Sequence, residues 1–62
     1  MKIHLLNIID RQRPVYEVDF SARTYRLLRW EASGADRLPD IRGKLRKPGD
    51  FMNPSIFKQV QA

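Results

Sequence analysis

Apolar positions in the first third of the chain fall in two short runs with different rhythms. Ile3, Leu5, Leu6, Ile8 and Ile9 crowd residues 2–9, a run too short for periodicity to separate a buried strand from a short helix. A strand is the preferred reading. Val15 to Phe20 alternates: Tyr16, Val18 and Phe20 on one face, Glu17 and Asp19 on the other, as expected of a half-buried strand. The polar link Asp10–Pro14 ends in a proline that lacks an N–H and biases Arg13 toward extended backbone. Together 2–9 and 15–20 predict a hairpin. Two strands alone are barely stable in water, so a helix is expected to cover their apolar face.

Ala22 to Ser33 is the segment that predicts this helix. Ser21 suits an N-cap, because its hydroxyl can accept a first-turn amide. Phe20 and Tyr25 bracket that cap as a hydrophobic staple, and Gly34 suits the left-handed residue that ends a helix. At about 100° per residue, Tyr25, Leu28 and Ala32 form one stripe, and Arg23, Arg26 and Arg29 form a neighbouring arc that includes Trp30. The competing reading makes Thr24–Ala32 a third strand, favoured by Thr, Tyr and Trp; both its faces would then mix Arg with apolar residues. Beyond Gly34 the chain reads as loop. Ile41 and Leu45 flank Gly43, suggesting a short hairpin or wing with Gly43 near its tip, and Pro48-Gly49 signals a turn. Asn53-Pro54 looks like a cap followed by proline at the first helical position, so Pro54–Val60 is expected to be a short helix docked by Ile56, Phe57 and Val60. The expected fold is α+β, one small domain over residues 1–62: an N-terminal β-hairpin on a central helix, a basic loop or wing, and a short C-terminal helix.

Size and composition narrow the choices. Sixty-two residues without cysteine give a marginal core, burying about 60% of the unfolded surface, with neither disulfide nor thiolate zinc site as a staple. With His4 as the single histidine, a multi-histidine metal site is excluded. Stability must come from apolar packing or from a partner. The apolar start is interrupted by His4 and Asn7 and followed by Asp10-Arg11-Gln12-Arg13 without a small-residue cleavage pattern, which disfavours a targeting segment. No stretch is long enough to span a bilayer, and the lack of cysteine fits a cytoplasmic setting.

Charge changes the picture more than composition does. The net charge is +5, and Ser21 to Lys47, with eight basic and three acidic residues, carries all of it. A cationic concentration of this kind is the electrostatic footprint of a nucleic-acid binder. Arg23, Arg26 and Arg29 on a helix would suit the major groove, where guanidinium pairs with guanine edges or phosphates. Arg42, Lys44, Arg46 and Lys47, around Gly43, could approach phosphates closely. About five neutralised phosphates would give a log–log salt slope near −4 to −5 on duplex DNA. The plainer alternatives are a solvated helix face and a flexible basic loop. Trp30 reads first as a packing residue and second as a stacking platform; the other aromatics read as core.

Nothing in the chain predicts catalysis. The carboxylates show no paired spacing for acid–base work, and Ser21, Ser33 and Ser55 lack the glycines of a nucleophile elbow. There is no glycine-rich phosphate loop or metal-binding Asp cluster. No cofactor is implied.

Arg29-Trp30-Glu31-Ala32-Ser33-Gly34, then Leu38-Pro39 and a basic glycine-containing stretch, resembles the MerR and excisionase-type winged helix-turn-helix proteins. That resemblance implies a recognition helix bearing Arg23, Arg26 and Arg29, and a wing bearing Arg42, Lys44, Arg46 and Lys47. The leading expectation is therefore a small, non-enzymatic, cytoplasmic DNA-binding regulator of phage or mobile-element type, with duplex DNA as partner and dimerisation open. The rival expectation is a protein-binding factor whose basic surface docks on an acidic patch of a larger machine, such as RNA polymerase or a nuclease.

Overall fold

The computed structural model describes residues 2–32, 39–47, 49 and 51–61. They form five strands: β1 (Lys2–Asn7), β2 (Pro14–Asp19), β3 (Thr24–Trp30), β4 (Arg42–Lys44) and β5 (Phe57–Val60). All neighbours are antiparallel, in the order β4-β3-β2-β1-β5. The first four strands run as a meander, and the last returns to the outer edge of β1. The fold is all-β among the described residues, which corrects the expected α+β class.

The hairpin of β1 and β2 forms, with Leu5 opposite Tyr16 and Ile3 opposite Val18. What covers it is different. The segment expected as the central helix is a turn and then β3, the competing reading of Thr24–Ala32. The expected cap at Ser21 gives way to a turn closed by Asp19. The Asp19 carboxylate accepts the N–H groups of both Ser21 and Ala22 at 3.0 Å, and Arg23 takes a left-handed φ of 58°. An Asp before Ser stabilises a tight turn by the same side-chain-to-amide bonding that caps helices. Gly34, the expected helix stop, lies outside the described residues.

A one-residue irregularity answers the objection to β3 as a strand. Tyr16 pairs with Leu27, but Val15 pairs with Arg29, so Leu28 is an extra residue. In a regular strand Arg26 and Arg29 would point to opposite faces, because side chains alternate. The bulge resets that alternation. Arg29 returns to the face of Arg26, and Trp30, opposite Pro14, becomes half-buried.

Two further expectations are corrected. Gly43 lies in the middle of β4 opposite Tyr25, not at the tip of a wing, and a β-carbon there would meet the Tyr25 hydroxyl at 3.0 Å. Pro54–Val60 is no helix. Asn53 does act like a cap, its Oδ1 accepting Ser55 N–H at 2.9 Å and its carbonyl accepting the Phe57 amide at 2.9 Å. The turn stops after one revolution because Phe57–Val60 pairs with β1, His4 opposite Val60 and Asn7 opposite Phe57. Arg13 also departs from expectation: it takes φ 49°, closing the β1–β2 turn through its N–H to the Asp10 carbonyl at 3.1 Å.

The core is small. Leu5, Leu6, Val15, Val18 and Leu27 are its buried hydrophobic residues. Over Tyr16, Tyr25 and Phe57 lies Phe51, from the β4–β5 connection, with ring centroids 5.2, 5.1 and 4.8 Å from theirs. Phe51 has φ 65°, a backbone region unusual for a bulky residue and costing about 1–3 kcal/mol. Three ring contacts, each worth about 0.5–1.5 kcal/mol beyond burial, offset that cost.

Candidate nucleic-acid interface

Register decides which charged side chains meet. Two rows cross the sheet on the face opposite the aromatic cluster. One runs Val60, His4, Glu17, Arg26, Arg42 from β5 to β4; the next runs Lys2, Asp19, Thr24, Lys44 from β1 to β4. Arg26, Arg42, Lys44 and Lys2 are all exposed. Lys2, Glu17, Asp19, Thr24, Arg26 and Arg42 line a shallow trough along this face. Its aromatic neighbour, Tyr25, has its ring on the other side of the sheet against Tyr16 and Phe51.

Glu17 organises the trough. Its Oε1 accepts a hydrogen bond from Arg26 Nε at 3.2 Å and lies 3.8 Å from Lys2 Nζ, while Oε2 lies 3.6 Å from His4 Nε2. The Arg26 hydrogen bond holds the Glu17 carboxyl below its ordinary value; partial burial opposes this, and the charge of Arg26 and Lys2 adds to it. Asp19 is also lowered, first by the Ala22 N–H. His4 Nδ1 is buried without a hydrogen-bond partner among the described residues.

The seven cations singled out from the sequence separate into three groups. Arg26 and Arg42 come together on the polar face; Lys44 shares their side by its register with Thr24 but also lines the hollow beside Tyr16, Tyr25, Phe51 and Phe57. Arg23, Arg46 and Lys47 surround a different depression at the β2–β3 turn, with Phe20, Leu45 and Met52. Arg29 stands apart at the far end of β3, bonded twice to Glu31 Oε1 at 3.1 and 3.2 Å. The helical arc of Arg23, Arg26 and Arg29 therefore does not exist, and the winged-helix arrangement goes with it. Arg42 pairs with Asp40 at 3.2 Å, and Arg46 and Lys47 each hold a further interaction. Lys44 has no carboxylate partner among the described residues.

Sequence reasoning missed Lys2, which sits in a segment of zero net charge and reaches the cationic face only through its register with Asp19. It also missed Phe20, Leu45 and Met52 as lining residues. No local signal marks any of these, because their neighbours come from other strands.

Among the described residues no group of three or more His, Cys, Asp or Glu side chains could hold a metal ion, and no helix is long and apolar enough to cross a membrane. Comparison with family models, with curated proteins and with solved structures finds no match for this chain.

Proposed function

We propose that this chain is a non-catalytic nucleic-acid-binding module that holds the phosphate backbone of duplex DNA on the polar face of its sheet. The carrying observation is the pair of cross-strand rows that gathers Arg26, Arg42, Lys44 and Lys2 on one exposed surface. The face of the sheet takes the place of the helix expected from sequence, and contacts to phosphate need only exposed cations on one surface.

The ion pairs on this face do not oppose the reading. Arg26 and Arg42 keep 60% and 73% of their side-chain surface exposed, and exposed pairs are worth about 0–1 kcal/mol. A phosphate can replace a carboxylate partner at little cost, with bidentate geometry as a gain. With no ring presented on this face for stacking, binding is expected to follow charge more than sequence.

The test is a salt titration of anisotropy with a fluorescein-labelled 20-base-pair duplex. Four phosphate contacts predict a log–log slope of about −3 to −4, shallower than the five-contact value the sequence suggests. Arg42→Ala with Lys44→Ala should lower that slope by about 2. Absence of binding at 50 mM salt, or an unchanged slope in the double variant, would overturn the proposal.

A further inference from the structure

The depression at the β2–β3 turn has a chemistry unlike the polar face. Phe20 and Arg23 form one wall. Leu45, Arg46 and Lys47, just after β4, form another, and Met52 completes the lining. Leu45 N–H donates to the Arg23 carbonyl at 2.8 Å and ties these two walls together, while Met52 N–H donates to the Gly49 carbonyl at 3.0 Å within its own turn. The space is about 280 Å³, at the bottom of the range for small-molecule pockets and suited to one large side chain. Met52 is 62% exposed, and a flexible, polarisable thioether at a surface adapts to varied apolar partners.

We infer that this groove docks a short acidic peptide segment of another protein, with one apolar side chain seated between Phe20, Leu45 and Met52 and its flanking carboxylates meeting the cationic rim. Charge complementarity names the partner: among the described residues, the six that line the groove include three basic ones and no acidic one. Arg23 is the principal cation. No carboxylate pairs with it among the described residues, whereas Arg46 and Lys47 are already engaged. An unstacked base is the weaker occupant, because stacking needs a presented ring and the groove's one ring, Phe20, is half-buried. The site is separate from the polar face, so it stands or falls independently of the nucleic-acid reading. A small interface of this kind gains affinity from one buried anchor and speed from charge.

The experiment uses fluorescein-labelled nonapeptides of Glu and Gly carrying one central Leu, Phe or Ala, with methyl and aromatic NMR spectra of the full chain recorded alongside. The Leu or Phe peptide should bind at least tenfold tighter than the Ala peptide and shift the Met52 and Leu45 methyl signals. Met52→Asp should weaken it at least fivefold while leaving duplex binding unchanged. Arg23→Gln should weaken all three peptides and flatten their salt dependence. Equal binding of the Leu, Phe and Ala peptides, binding that leaves the methyl signals in place, or no binding at 1 mM peptide would each overturn the inference. So would a single-stranded oligonucleotide that shifts the Met52 methyl when the peptides do not.

Discussion

The two faces of one sheet use the same strands for opposite ends. On the inner side, Tyr16, Tyr25 and Phe57 meet Phe51, which holds an unfavourable backbone angle to reach them. On the outer side Lys2 of β1, Arg26 of β3, and Arg42 and Lys44 of β4 stand exposed near Glu17. The inner face holds Leu5, Val18, Leu27 and the ring cluster, whose contacts exclude water. The exposed ion pairs of the outer face contribute little to stability, and its cations stand beside Glu17, Asp19 and, at Arg42, Asp40. In a chain this small, parity along each strand separates most of the packing from most of the charge, with Leu6 and Val15, buried on the charged side of the sheet, as the exceptions.

That separation can be broken from either side. The largest effect is expected from Phe51→Ala, which removes the ring shared by three others: a loss of about 3 kcal/mol in urea unfolding, with near-UV ellipticity collapsing. A loss below about 1 kcal/mol would deny Phe51 its role as cover. Gly43→Val comes next. Its β-carbon would lie 3.0–3.2 Å from the Tyr25 hydroxyl and ring carbons, so Tyr25 must move, at a cost of about 1–2 kcal/mol. Chemical denaturation and the Tyr25 ring signals check it together. On the outer face, Arg42→Ala with Lys44→Ala should change stability by no more than about 0.5 kcal/mol while removing much of the duplex affinity. A large stability loss there would place those cations among the structural residues.

The smallest and most discriminating variant is Glu17→Gln. The carboxyl of Glu17 is held below its ordinary 4.5, so its contribution to stability is present above that value and is lost as pH falls through the lowered folded value. The variant should therefore show a flatter acid limb in pH-dependent melting, with the part due to Asp19 remaining. It should also bind duplex more tightly, since the one carboxylate competing for Arg26 is gone. At the alkaline end, burial raises the Tyr16 hydroxyl above 10.0. Stability should fall as pH rises past that value, and Tyr16→Phe should blunt the fall.

The N-terminal hairpin is legible locally, and the rest of the sheet is not, for one shared cause. The alternation of Tyr16, Val18 and Phe20 announced β2, because period two is a property of the strand itself. The spacing of Arg23, Arg26 and Arg29 announced a helix that is absent. Three-residue spacing matches a helical face, and the inserted Leu28 lets a bulged strand place Arg26 and Arg29 on one side equally well. Asn53 is legible as a residue that binds a nearby amide, whereas at the β2–β3 turn that role falls to Asp19 and not to Ser21; whether such bonding opens a helix or closes a turn depends on what the following segment can pair with. For β3 the partners are Tyr16 and Glu17; for β5 they are His4 and Leu6.

By itself, then, the chain's composition set a basic, cysteine-free domain with a marginal core and an N-terminal hairpin, since charge, size and short-range alternation need no distant partner. Tertiary pairing alone decided that seven cations divide between a sheet face, a groove and the far end of β3, and that Lys2 joins the first of these. Neighbourhood across a sheet depends on strand order and register, which are won by the summed packing of all five strands and are written in no single segment.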